Sequence, residues 1–344
     1  MKPKTAFVTG CTGFVGSNLI EELTRQGWRV IAFHRPDSDT KRLDRFPIEH
    51  ALGDVVDPQS LLLALPQSVD AVFHVAGTSN MWARRNAEQT RINVEGTRHV
   101  VRAALARGTH KLVFCSSWVA YGAHVQRFNE EAPQLGGESW VNHFKTKCLA
   151  EQEIRAGIVQ GLNASIVNPS LILGPGDTQG WARLILLVQA GRLPGVPPGR
   201  VNFCDVREVA KALIAAAERG RNGQNYLLGG PDTSFVQLVQ AISEVTGREV
   251  PAKPTPAWVL KVMGRLQSWA SAISDKAPNL TPEIAYSVTR QMSCDFSRAE
   301  RELGYRATDL RSMVQASYQW LRDEGLLNVE TADARLRPHA QSNP

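Results

Sequence analysis

The 344-residue chain is 43% hydrophobic and carries a mild formal charge of +6, from 39 Lys and Arg against 33 Asp and Glu. It can bury a full core in one large or two modest domains, and no apolar run is long enough to span a bilayer. Its arginines are scattered and no basic run is interleaved with aromatics, which argues against nucleic-acid binding.

In chain order, Ala6–Val8 reads as a buried strand entering a turn with Gly10, Gly13 and Gly16 at G-x-x-G-x-x-G spacing. Phe14–Gln26 then carries Val15, Leu19 and Leu23 at a helical period. Strand, tight turn and helix in this order predict a dinucleotide site. Gly10 supplies a backbone conformation that side chains forbid, Gly13 lets the main chain approach a pyrophosphate, and Gly16 lets the helix pack on the strand. The helix N-terminus presents free N–H groups and partial positive charge to the phosphates. Trp28–Phe33 is the second strand, and where an NAD site places an acidic residue this chain has His34-Arg35. Arg35 offers a planar cation to a ribose 2′-phosphate, which tilts the expectation to NADP, with NAD as the alternative.

Ile48–Leu52 is a third strand before Gly53, Asp54 and Val55, a loop placed near the adenine. Asp70–Val75 is the fourth, and the small residues Val75, Ala76 and Gly77 at its end let a cofactor lie against the backbone. His74, inside that apolar strand, reads as a core histidine, and no cluster around it suggests a metal. Ile92–Arg107 is an amphipathic helix. Lys111–Ser116 is the fifth strand and delivers Ser116-Ser117 at its carboxyl end, where ligands of open parallel sheets bind. In the next helix His143 and Lys147 share a face at i, i+4. Ala164–Asn168, Asn202–Val206 and Tyr226–Leu228 complete the strands, and Arg207–Arg219 is a helix. Strands alternating with helices predict an α/β fold with a doubly wound, mostly parallel sheet.

From Pro251 a proline-stiffened linker leads into Ala257–Ile273, with Val262, Leu266, Trp269 and Ile273 on one face and Lys261 and Arg265 off it, so that the face itself has few cations. That segment reads as a lid or wall over a substrate cavity in preference to a helix lying on a membrane. Phe296–Leu303 and Leu310–Arg322 are surface-packing helices, and polar, aperiodic Val329–Pro344 reads as a disordered tail. The five cysteines, Cys11, Cys115, Cys148, Cys204 and Cys294, form no C-x-x-C pair. They read as reduced, buried thiols of a cytoplasmic protein, and a fold starting at Lys4 leaves no room for a signal peptide.

The chain resembles the extended short-chain dehydrogenase/reductase family, the NAD-dependent epimerases and dehydratases, over residues 4–326. The matching stretches are Thr9–Gly16, Gly53-Asp54, Asn93–Thr97, Cys115–Ser117, Thr146-Lys147 with Ala150-Glu151, Pro169-Ser170 through Gly174-Pro175-Gly176, and Glu302–Tyr305. Asn168-Pro169-Ser170 and Arg35 make it most similar to dihydroflavonol reductases and 3β-hydroxysteroid dehydrogenases. Trp118-Val119 stands where sugar dehydratases carry an acidic pair, which argues against dehydration. The resemblance implies a Rossmann domain over 1–168, with 201–230 returning to it. It also implies a smaller substrate domain and lid over 169–200 and 231–328. It adds Thr12, Phe14, Val15, Pro169 and Ser170 to the cofactor-binding residues.

The resemblance also implies a Ser/Thr–Tyr–Lys site, with Ser117 as the hydroxyl and Lys147 as the lysine. The tyrosine position, four before the lysine, is His143. Three readings stay open: His143 exchanges the proton, Tyr121 or a water replaces it, or the protein is a nicotinamide-binding sensor or scaffold. Met81, Trp82, Trp118 and Trp140, with a Trp258–Trp269 lid, suggest a bulky apolar small-molecule substrate. A nucleotide-sugar epimerase is the other enzyme reading, with only Arg183, Arg192 and Arg200 to offer a diphosphate. A homodimer through Ile92–Arg107 and His143–Ala156 is a further expectation of the family.

Overall fold

A computed structural model describes residues 2–178, 180–274 and 277–327, the side chains of 272–274 excepted. The strands are β1 (Thr5–Thr9), β2 (Arg29–His34), β3 (Glu49–Leu52), β4 (Ala71–His74), β5 (Leu112–Cys115), β6 (Ala164–Pro169), β7 (Leu171–Leu173), β8 (Arg200–Asp205), β9 (Asn225–Leu228) and β10 (Asp232–Ser234). Seven of them form a parallel sheet in the order β3-β2-β1-β4-β5-β6-β9. Its central strands are apolar and buried throughout, as Phe7, Val8, Val113 and Phe114 show, because helices cover both faces. The chain winds outward from β1 to β3 and then returns to β4, so a crevice opens at the carboxyl ends of β1 and β4.

The helices are α1 (Phe14–Arg25), α2 (Pro58–Ala64), α3 (Asn86–Thr90), α4 (Gly96–Ala106), α5 (Asn142–Val159), α6 (Ala182–Gln189), α7 (Val206–Arg219), α8 (Phe235–Thr246), α9 (Ala257–Ser274), α10 (Pro282–Val288), α11 (Ser297–Leu303) and α12 (Leu310–Asp323). One face of the sheet packs on α1, α7 and α11, through Leu19, Leu23, Leu213 and Leu303. The other face packs on α2, α4 and α5, through Leu61, Val100, Val101 and Ile154. A third core joins α6, α8, α10 and α12 to the smaller sheet. Within this structure α3 and α4 are one helix joined by a single π-helical turn, Arg91–Glu95, so the helix starts earlier than the expected Ile92.

Two placements differ from the sequence reading. The strand expected at Asn202–Val206 is β8, and it leaves the main sheet. It pairs parallel with β7 and antiparallel with β10. Phe203 is what draws it away: its ring meets Trp181 at 5.9 Å and Phe235 at 6.0 Å in the third core. The second difference is α9, whose buried side is Leu260, Gly264 and Ser271 while Val262, Leu266 and Trp269 face outward. Gly264 explains it: a Cβ there would sit 3.0 Å from the Thr281 carbonyl oxygen, so the bare face is the one that lies on the segment entering α10. Ile273 and the 329–344 tail lie outside the described side chains. Among the described residues no helix is long and apolar enough to cross a membrane.

Candidate active site at the carboxyl edge of the sheet

The first wall is the β1–α1 turn. Gly10 sits at φ +69°, and a Cβ on it would lie 2.5 Å from the Ala76 backbone nitrogen. A Cβ on Gly16 would lie 2.1 Å from the Gly10 carbonyl oxygen, so neither position admits a side chain. Gly13 N–H donates to Gly10 O at 3.1 Å, and Gly13 begins α1 with no side-chain cap and no acidic residue in the first turn. A bare, uncapped helix start beside a cradle that any Cβ would fill fits a nicotinamide dinucleotide's pyrophosphate.

β4 brings Val75, Ala76 and Gly77 to the same turn, with Val75 N–H donating to Thr9 O at 3.3 Å. His74 beneath them is fully buried between two hydroxyls, Thr9 at 2.8 Å from Nδ1 and Thr97 at 2.9 Å from Nε2. Thr97 donates its own proton to Asn93 O at 2.6 Å, so it accepts from Nε2–H, and Nδ1 accepts from Thr9. The histidine thus fixes the strand end that carries Ala76. Arg35 follows β2, and its guanidinium meets Asp37 at 3.3 Å with both side chains largely exposed. Such a pair is worth about 0–1 kcal/mol, so it leaves the cation free to exchange partners. Asp54 caps its own turn by accepting from Val56 N–H at 3.1 Å, and Val55 is buried beneath.

β5 and α5 supply the chemistry-bearing groups. Ser117 stands at the end of β5 in extended backbone, where it begins a short 3₁₀ turn. Its hydroxyl makes only long contacts, accepting from Val119 N–H at 3.4 Å and donating to Pro169 O at 3.5 Å, so it is free to reorient. Neighbouring Ser116 is committed elsewhere, donating to Glu151 at 2.5 Å. On α5, Lys147 is buried, donates to Cys115 O at 3.1 Å and lies 5.3 Å from the Phe114 ring centre. Burial holds its pKa below the usual lysine value, with Cys115 and Glu151 opposing. A Cβ on Gly77 would come 3.6 Å from this ammonium, so the glycine keeps the space beside it open. One turn earlier on α5 is His143, buried, with Nδ1 lacking any hydrogen-bond partner. Burial first, and Lys147 second, push its pKa down to about 3.

Sequence reasoning missed the group that ties these elements together. Glu151 is fully buried and accepts four hydrogen bonds. Ser116 at 2.5 Å and Asn168 at 2.6 Å reach one oxygen, and Gln134 at 2.5 Å and Asn225 at 2.8 Å reach the other. Asn168 also donates to Ser117 O at 3.2 Å. Ser170, beyond β6, continues the sheet by donating its N–H to Leu228 O at 2.8 Å. From the π-helical turn, Asn93 accepts from Thr78 N–H at 2.8 Å and donates to Thr78 O at 2.9 Å and Thr146 Oγ1 at 3.1 Å. Asn93 and Glu151 both lie in stretches that carry the family resemblance, Asn93–Thr97 and Ala150-Glu151, but those stretches alone give neither residue its partners.

Other expectations are corrected. Tyr121 is buried, its hydroxyl donates to Glu130 O at 3.4 Å, and burial raises its pKa well above the usual value, so the phenol stays protonated. Trp118 fills the third core, 6.2 Å from the Phe128 ring, rather than lining a cavity. Trp140 stays exposed and packs edge-on against Tyr286 of α10 at 5.4 Å, and Tyr286 also reaches Phe144 at 6.4 Å. Arg200 is tied to Asp232 at 2.9 Å and Arg183 to Asn279 at 2.8 Å.

The two buried histidines set an acid limit. His74 and His143 titrate near 3 in the fold and near 6.5 when exposed, so below pH 6.5 the unfolded chain binds more protons. Stability falls as pH drops through that window, by about 1.4 kcal/mol per pH unit for each ring. Urea unfolding between about pH 7 and about pH 5 is expected to show a slope lower by about one proton in His143→Phe than in the wild type. Equal slopes would show that the ring titrates normally.

The family model described as the NAD dependent epimerase/dehydratase family matches residues 6–229. The chain is 31% identical to sterol demethylase protein B of Methylococcus capsulatus over 335 residues, 94% of this chain and 100% of that one. It is 29% identical to a putative dihydroflavonol 4-reductase of Synechocystis, over 94% of this chain and 96% of that one. Among solved structures, the crystal structure of gox2253 aligns with a TM-score of 0.82 at 31% identity, covering 94% of this chain and 99% of that chain. A family match running from β1 to the end of β9, with relatives aligned over nearly the whole length, makes this chain a member of the NAD dependent epimerase/dehydratase family and an oxidoreductase of the extended short-chain dehydrogenase/reductase type.

Proposed function

We propose that this oxidoreductase prefers NADP and acts on a hydroxyl or carbonyl of a bulky apolar small molecule, with His143 exchanging the substrate proton. The observation that carries the reading is His143, a buried imidazole with an unpartnered Nδ1, one helical turn before the buried Lys147 ammonium.

Bound NADP(H) supplies or takes the hydride. Gly10, Thr12, Gly13, Phe14, Val15 and Gly16 hold the pyrophosphate, Arg35 the 2′-phosphate, and Asp54 and Val55 the adenine. Val75 to Gly77, with Pro169 and Ser170, flank the nicotinamide half, and Lys147 holds its ribose. Ser117 Oγ, released from its two long contacts, orients the substrate oxygen. A neutral His143 ring takes the hydroxyl proton during oxidation. Reduction needs the imidazolium, which is scarce well above pH 3, so oxidation is the easier direction at neutral pH. The names of the sterol and dihydroflavonol relatives, and the Tyr286–Phe144–Trp140 wall beside His143, support an apolar substrate. A cytoplasmic setting suits five free, buried thiols. The faces for a homodimer are α4 and α5, which lie side by side and share the Arg98–Glu153 ion pair at 2.8 Å.

The test is fluorescence titration with NADPH and NADH, beside single-turnover assays on apolar ketones and alcohols, for wild type and His143→Tyr. Tight NADPH binding with wild-type turnover supports the reading. Tight binding without turnover, rescued by tyrosine, assigns a cofactor-binding module, and no nucleotide binding overturns the site. Arg35→Glu is expected to weaken NADPH about tenfold or more while leaving NADH little changed. Equal loss for both nucleotides, or none, would remove Arg35 from the 2′-phosphate.

A further inference from the structure

α9 turns its larger apolar side chains toward solvent. Trp258 is 69% exposed, Val262 45%, Leu266 60% and Trp269 78%. At 3.6 residues per turn these four fall within about 80° of one another, and Lys261 and Arg265 extend the same face to an arc of about 140°. The opposite side, Leu260, Gly264 and Ser271, is the one that packs inward. Ala257–Ser274 contains no Asp or Glu.

We propose that this face is an attachment surface for an anionic lipid bilayer, with α9 lying in the plane of the headgroups. Tryptophan at both ends of an apolar stripe suits the interfacial region, where an indole keeps its body in apolar surroundings and its N–H in polar ones. Lys261 and Arg265, with no acidic residue on the helix, complement anionic headgroups, and the long aliphatic stems of both let their charges reach past the buried edge. A second copy of the chain is the weaker occupant. The exposed parts of these four side chains come to on the order of 500 Å², short of the roughly 800 Å² per partner that a stable dimer buries.

Attachment here has a geometric consequence that rests on the substrate class proposed above. α9 packs on α10, whose Tyr286 contacts Trp140 and Phe144 beside His143, while Thr281 at the start of α10 donates to Met81 O at 2.7 Å. A single helix, α10, then stands between the lipid-facing helix and the side chains beside His143, so an apolar substrate dissolved in the bilayer is brought close to the site.

The full chain is to be sedimented with vesicles of phosphatidylcholine alone and of phosphatidylcholine mixed with phosphatidylglycerol. Binding to the mixed vesicles is expected to be at least about tenfold tighter than to the neutral ones. Trp258→Ser/Trp269→Ser is expected to lower binding to the mixed vesicles at least about tenfold, and Lys261→Glu/Arg265→Glu to erase the anionic preference. Nucleotide titration of each variant verifies that it is folded. No binding to mixed vesicles, binding indifferent to the two tryptophans, or a concentration-dependent dimer that the tryptophan variant abolishes would each overturn the assignment. Vesicle binding is read without turnover, so its failure leaves the proposed reaction standing, and an inactive site leaves vesicle binding intact.

Discussion

In His143→Ala, turnover is expected to fall about 10²- to 10⁴-fold while NADPH affinity stays within about twofold. The asymmetry follows from position. His143 is one turn from Lys147 on α5 and belongs neither to the glycine cradle nor to the segment around Gly77, so on the proposed mechanism its loss removes the proton path and leaves the cofactor contacts in place. The remaining imidazole chemistry also has a signature of its own. With a pKa near 3, the proton-donating form loses about tenfold in population for each pH unit above that value. The wild-type reduction rate is therefore expected to rise as pH falls from about 7 toward about 5, and oxidation to stay nearly flat over the same range. His143→Tyr, whose phenol stays protonated there, loses that acid-side rise. A His143→Ala variant with unchanged turnover, or a wild type whose reduction is flat with pH, would remove His143 from the chemistry.

The second large effect concerns folding. Glu151→Ala is expected to destabilise the protein by about 4 kcal/mol, read as a lowered urea midpoint at an unchanged slope. Hydrogen bonds to a charged group contribute about 1.5–3 kcal/mol each, and here Ser116, Gln134, Asn168 and Asn225 would all lose their acceptor. The four do not add, because water entering the space restores part of the loss. Glu151→Gln keeps one oxygen and turns an amide donor toward donors on the other side, so it is expected to fall between alanine and wild type. Equal stability of all three would show the network to be incidental.

The parts of this site written in contiguous stretches were legible from sequence. The glycine turn, Ser117 at a strand end, and His143 and Lys147 four residues apart each need only a local period and a neighbouring element to be placed. Glu151 was not legible in this way, since its partners come from residues 116, 134, 168 and 225, which only the fold brings together. β8 shows a second limit: its alternation matched a strand, but periodicity does not name the neighbour, and Phe203 chose the third core. α9 shows a third. The apolar face was correctly seen as a face, yet the small residues of the other side allow the closer approach, so the larger side chains ended outside.

The π-helical turn at Arg91–Glu95 carries one residue more than the α-helix it interrupts, so α3 is offset about 100° from where an unbroken helix would put it. Asn93 sits in that extra turn and latches Thr78 to Thr146, which fixes the Thr78–Met81 segment and, through Thr281, the start of α10. Removing a single residue there would rewind the helix and swing the latch off its partners, whereas a substitution that leaves α4 helical does not change the phase. The placement of the Thr78–Met81 segment is thus keyed to the length of this helix rather than to the identity of its side chains. A lineage could re-aim it in one event while every side chain around it stayed the same.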